Sequence, residues 1–128
     1  MTESEALIRC ILGAVRHDIR PLSVALDVVR DMLFVKQITM DDILVTKDVY
    51  HVVAKQLSGK PISMARRIER LANLCWDEMA ANNLVPKYIG KHLSYSCAPR
   101  DIIIYLAFYL EFRRPFFEIL EEQPSLLF

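Results

Sequence analysis

Apolar side chains return every three or four residues along almost the whole chain, and no stretch alternates apolar with polar residues as a half-buried strand does. That spacing confines the chain to helices packed against one another. The punctuation agrees. There are three glycines (Gly13, Gly59 and Gly90), no low-complexity linker, no repeat, and no Asn-Gly or Asp-Gly pair to turn a hairpin. The expected fold is all-α, with five to six helices in a single domain spanning residues 1–128, a length that suits one core.

Ser4 is placed to cap a first helix carrying Leu7, Ile8, Ile11, Leu12 and Val15. Pro21 opens a second, with Leu22, Ala25, Leu26, Val29, Leu33 and Phe34 on one side and Asp27, Arg30 and Asp31 on the other. A polar connection follows around Gln37–Asp42. Thr46 is placed to cap a third helix with Val49, Tyr50, Val53, Ala54 and Leu57, which Ser58-Gly59-Lys60 breaks. Pro61 suits the first turn of a fourth helix running to about Met79, where Asn82 and Asn83 end it. Residues 86–93 suit a short helical piece. Pro99 opens a long helix, Asp101 to Phe112, apolar on nearly every side. Pro115 stops it, and Phe116, Phe117, Ile119 and Leu120 add an apolar C-terminal turn.

Hydrophobic residues make up 53% of the chain and charged ones 25%, a balance that favours a packed globule over disorder. The longest apolar run, Ile102–Leu110, is too short to span a membrane. The N-terminus, Met1-Thr2-Glu3-Ser4-Glu5, is acidic and lacks the basic start of a secretory signal, so a cytoplasmic location is expected. Cys10, Cys75 and Cys97 are odd in number and widely spaced, which argues against a disulfide framework. With His17, His51 and His92 they form no close ligand pairs, so no metal site is expected.

Net charge is zero, but its distribution is uneven. Residues 47–70 carry six basic side chains (Lys47, Lys55, Lys60, Arg66, Arg67, Arg70) against two acidic ones (Asp48, Glu69). The flanking segments, 1–46 and 71–128, each carry five basic and seven acidic residues. A basic stretch in a neutral protein is an electrostatic footprint for phosphates or an ordinary solvated face, and charge alone fits both. Residues 46–79 discriminate better. They read as helix, a short turn with glycine, and a longer helix, the layout of a helix-turn-helix and also of any helical hairpin. On a helical wheel, Met64, Ile68, Leu71, Ala72, Cys75 and Met79 gather on one side of residues 61–79. Ser63, Arg66, Arg70, Asn73 and Asp77 gather opposite, with Arg67 and Glu69 on the flanks. Arginine can bond guanine bidentately and serine is permissive, so Ser63, Arg66 and Arg70 are the base-reading candidates. Lys55, Lys60 and Arg67 are the phosphate candidates. Trp76 is expected at least half buried behind them.

The run Val53-Ala54-Lys55-Gln56-Leu57, the break after it, and Arg66, Ile68 and Trp76 resemble the DNA-binding effector domain of the stage 0 sporulation response regulator family. The resemblance is gapless over residues 53–76. Upstream, His17-x-Ile19 and Thr46-Lys47-x-x-Tyr50 also fit, as does the proline-opened helix from Pro99. The resemblance implies a transcription regulator that binds double-stranded DNA through helix 61–79, as a homodimer on tandem sites. Departures fall on the reading helix. The family begins it Ser-Arg-Val-Glu-Arg, whereas this chain has Ile62-Ser63-Met64-Ala65-Arg66, so only Arg66 carries over. Glu69-Arg70 stands where the family has Arg-His, bringing a carboxylate toward the DNA side. Nothing here resembles the family's phosphoreceiver, so control by aspartyl phosphorylation in cis is not expected.

Enzymatic signals are weak. His17-Asp18 are adjacent in sequence and make no orienting pair on one helix face. There is no glycine-rich phosphate loop and no nucleophile motif. Neither a cofactor nor a small-molecule substrate is expected. Trp76 and the Tyr105, Phe108, Tyr109, Phe112 set fit core or interface at helical spacing. An alternative to DNA binding is a regulator-like interaction module that pairs with a full-length regulator. Self-association is a further expectation. Ile102, Ile103, Ile104, Leu106, Ala107, Phe108 and Leu110 are hard to cover in a monomer unless residues 113–128 fold back over them.

Overall fold

In the computed structural model, which describes residues 1–14, 16–93 and 97–126, the Thr2 hydroxyl accepts a hydrogen bond from the Glu5 N–H at 3.2 Å and starts helix α1 (Glu3–Leu12). Ser4, expected as that cap, lies inside the helix instead. Its hydroxyl is buried and pairs with that of Ser23 at 2.7 Å, which ties α1 to α2 (Arg20–Phe34). The expected apolar face of α1 is buried from Leu7 to Leu12, while Val15 lies outside the described residues. Pro21 sits in the first turn of α2, as its missing N–H predicts.

The polar connection after α2 contains a single 3₁₀ turn, Met40–Asp42. The chain then enters a π-helical turn, Val45–Tyr50, continuous with α3 (His51–Gln56). Thr46, expected to cap this segment, makes no capping bond. The element begins two residues earlier, at Val45 with Leu44 in the cap position, and the Leu44 N–H donates to the Asp48 carboxylate at 3.0 Å instead. Residues 57–60 lead to α4 (Pro61–Ala81), followed by α5 (Val85–Tyr88), α6 (Pro99–Phe112) and α7 (Phe116–Glu122). The described residues thus form seven α-helices and no strand, one helix more than expected. The short piece read as 86–93 is only one turn, Val85–Tyr88, and α6 starts at Pro99 rather than Asp101.

Glycine does not end α3 or α4. The Gly59 N–H donates to the Ala54 carbonyl and the Leu84 N–H to the Met79 carbonyl, both at 2.8 Å. These bonds close the helix ends around a left-handed residue one place before each donor. That residue is Ser58 (φ 55°) after α3 and Asn83 (φ 56°) after α4.

Helix α2 packs against α1, α3, α4 and α6 and forms the centre of the molecule. Leu22, Ala25, Leu26 and Val29 are fully buried along it. The seven apolar residues of α6, from Ile102 to Leu110, are all buried within one chain. Helices α2, α4, α5 and α7 pack around them. Of the two expectations for this helix, a dimer surface or cover by a fold-back of residues 113–128, the packing matches the second. Its Phe108 ring meets Phe34 and Phe116 edge-on at 5.1 and 5.0 Å. The C-terminal turn is a helix that folds back, with Phe116 and Ile119 buried against α6. The Phe117 N–H donates to the Ile89 carbonyl at 2.9 Å and anchors the start of α7 to the end of α5.

Candidate nucleic-acid interface

Helix α4 is amphipathic over its whole length, and packing fixes which face it shows. Met64, Ile68, Leu71, Ala72, Cys75, Trp76 and Met79 are buried against the rest of the fold. Trp76 is 7% exposed, as its place behind the outer face predicts. Burial pushes the Cys75 thiol up to about 12, so it stays protonated and inert at neutral pH. Once that stripe is buried, Ser63, Arg66, Arg70, Asn73 and Asp77 face solvent, and the structure shows all five exposed. Lys55 is exposed at the end of α3, and Lys60 is exposed immediately before α4.

The cations differ in how they are engaged. The side chains of Lys55, Lys60, Arg66 and Arg70 have no hydrogen-bond, ion-pair or ring partner among the described residues. Most arginines elsewhere are held: Arg20 by Asp18, Arg30 by Glu3 and Glu111, Arg100 by Asp101, Arg113 by Glu3, and Arg114 by Glu118 and Glu122. Arg16 in the α1–α2 connection, like Lys47 in the π-helical turn, has no partner among the described residues. Four of the six unpaired guanidinium and ammonium groups among the described residues thus lie on the α3–α4 face, where they raise the local positive potential of a neutral chain.

Arg67 departs from its four neighbours. Its guanidinium donates to the Asp18 carboxylate at 3.2 Å, across from the α1–α2 connection. His17, Asp18, Arg67, Arg70 and Leu71 line a shallow cavity of about 180 Å³ there. Sequence reasoning considered Asp18 only beside His17, as a failed catalytic pair, and missed it as a partner of α4. The chain separation of 49 residues hid it.

Glu69 is engaged from the other flank. It accepts a hydrogen bond from the Tyr50 hydroxyl at 3.2 Å. Burial, and then the Glu69 carboxylate, push the Tyr50 phenol well above its usual range, so it remains a donor. The bond draws the Glu69 carboxylate toward the π-helical turn. Beside it, Thr46, Tyr50, His51, Pro61, Ile62, Ala65 and Arg66 line a concavity of about 220 Å³. Ile62, at its edge, is 72% exposed, an unusual state for a large aliphatic side chain.

Chemically, this face offers cations, a hydroxyl and an amide to a polyanion. Among the described residues no three His, Cys, Asp or Glu side chains gather as metal ligands, and no helix is long and apolar enough to cross a membrane. No family model, curated protein or solved structure compared with this chain matches it.

Proposed function

We propose that the chain is a transcription regulator that binds double-stranded DNA, with α3 and α4 acting as a helix-turn-helix and α4 entering the major groove. One observation carries the reading. Of the six Lys and Arg side chains without a partner among the described residues, Arg16, Lys47, Lys55, Lys60, Arg66 and Arg70, four (Lys55, Lys60, Arg66 and Arg70) lie on the exposed side of this helix pair. Backbone phosphates dominate DNA affinity, and free cations are the groups that contact them. In this reading Arg66, flanked by Ser63 and Arg70, meets base edges, and Lys55 and Lys60 meet phosphates. The resemblance to the sporulation response regulator effector domain supports the same assignment. It also implies paired copies on tandem sites, although α6 supplies no apolar face for the pairing.

Salt-titrated binding to random and family-box duplexes tests the proposal. Lys60→Ala should weaken binding to every sequence and reduce the slope of log affinity against log salt by about 0.9. Arg66→Ala should cost about 1–3 kcal/mol and relax preference at one base pair. An Arg66→Ala variant with unchanged affinity and preference refutes the base-reading role.

Exposed Ile62 favours a second reading, a module that pairs with a full-length regulator and has lost specific DNA binding. It stands where the family has serine, on the face that would meet DNA. Under this reading Ile62→Ser abolishes pairing with the regulator and leaves a weak, sequence-blind DNA affinity unchanged.

A further inference from the structure

We propose that Asp18 stands in for a backbone phosphate, occupying Arg67 in the free protein and so lowering the affinity of the α3–α4 face for DNA. The inference rests on the DNA-binding reading above and concerns how that same face is regulated.

Asp18 accepts four hydrogen bonds. Its Oδ1 takes the Arg20 N–H at 3.1 Å and the Arg20 Nε at 2.9 Å, and its Oδ2 takes a second Arg20 guanidinium nitrogen at 2.8 Å. Oδ2 also takes the Arg67 guanidinium at 3.2 Å. Fork-like donation of this kind is how guanidiniums hold carboxylates and phosphates alike, so DNA and Asp18 compete for the same donors. The two arginines are bound unequally. Arg20 holds on with both its side chain and its backbone, whereas Arg67 makes one longer bond. Arg67 is thus the partner that a phosphate can take. The adjoining cavity of about 180 Å³, lined by His17, Arg67 and Arg70, leaves room for that exchange. Arg66 needs no such exchange, since no described residue holds its side chain.

The Arg20 hydrogen bond keeps the Asp18 carboxyl down at about 2, so Asp18 is ionised throughout the physiological range. Phosphate, and not a proton, therefore releases the contact. Asp18 also places a negative charge beside the reading helix, and the charge repels an incoming backbone at short range.

Fluorescence anisotropy with a random-sequence duplex, titrated in salt, reads the contact directly. Asp18→Asn should bind about fivefold tighter at low salt, with a slope steeper by about 0.9 as one more phosphate contact forms. Arg67→Ala should weaken the Asn variant more than it weakens the natural chain. Asp18→Ser, which keeps an acceptor for the Arg20 N–H, should change affinity in the same direction, and Trp76 fluorescence reports that both variants are folded. Unchanged or weaker binding in a folded Asp18 variant overturns the proposal. So does a gain that persists undiminished in the Asp18→Asn, Arg67→Ala double variant. If Lys60→Ala and Arg66→Ala weaken binding while Asp18→Asn does not strengthen it, only this inference fails. If none of these proteins binds duplex, the DNA reading fails and this inference with it.

Discussion

Asp18 also reads out in the folding equilibrium. Its carboxyl is held near 2, below the ordinary value of 3.8, first by the Arg20 side-chain hydrogen bond. A depressed carboxylate contributes stability that is fully present above the unfolded value and is lost as pH falls toward the folded one. The acid limb of a stability curve between about pH 4 and pH 2 should therefore flatten in Asp18→Asn, measured by urea melts at stepped pH. The group is partly exposed, so the effect is modest. The three thiols separate by burial. Cys10 is exposed, while Cys75 and Cys97 are buried, with both thiols pushed up by burial. Brief alkylation of the native protein at neutral pH, read by mass spectrometry, should label Cys10 and spare the other two until denaturant is added.

The helix ends make a sharper test of local backbone chemistry. Between α3 and α4 the left-handed position belongs to Ser58, and the glycine comes one residue later. An L side chain in that conformation costs about 1 kcal/mol relative to glycine. Ser58→Gly should accordingly raise stability by about 1 kcal/mol in a thermal or urea melt. Asn83→Gly should gain less, because asparagine tolerates the left-handed region. A Cβ at Gly59 would meet the Met64 Cε at 2.6 Å, and that methyl is the far end of a flexible side chain. Gly59→Ala should thus cost no more than about 1 kcal/mol. Gly90 is a different case. Its φ is 100°, and a Cβ there would lie 3.0 Å from the Pro115 Cβ. Gly90→Ala combines strain with overpacking and should cost about 1–3 kcal/mol.

The molecule as a whole depends on α7 to close its core. Phe116 and Ile119 cover α6, and the Phe116 ring meets Phe108 and Phe117 edge-on and Tyr105 at a tilt. Phe116→Ala should cost about 3–5 kcal/mol. Removing residues 113–128 should uncover α6, and the shortened chain should associate at micromolar concentration where the full chain sediments as a monomer. A full-length dimer without DNA would show that another surface mediates pairing. On duplex carrying tandem sites two copies should bind together, and a complex that remains one to one would remove the homodimer from the proposed function.

Local rules were enough to read the all-α architecture from the sequence. A 3.6-residue apolar repeat, proline in first turns and breakers between runs set the positions of α2, α4 and α6. They also set which face of α4 turns inward, so Ser63, Arg66 and Arg70 were legible as exposed groups before any packing was known. Capping was less legible, because Thr2 and Ser4 offer equivalent hydroxyls and only the burial of Ser4 against Ser23 selects Thr2. Tertiary structure decided what depends on residues far apart in the chain. It hid α6 under α7, drew Glu69 to Tyr50, and gave Arg67 a partner 49 residues away while leaving Arg66 without one among the described residues. Periodicity specifies which side of a helix is dry. It carries no record of which distant charge arrives beside the wet side, and on this chain that arrival separates Arg67 from Arg66.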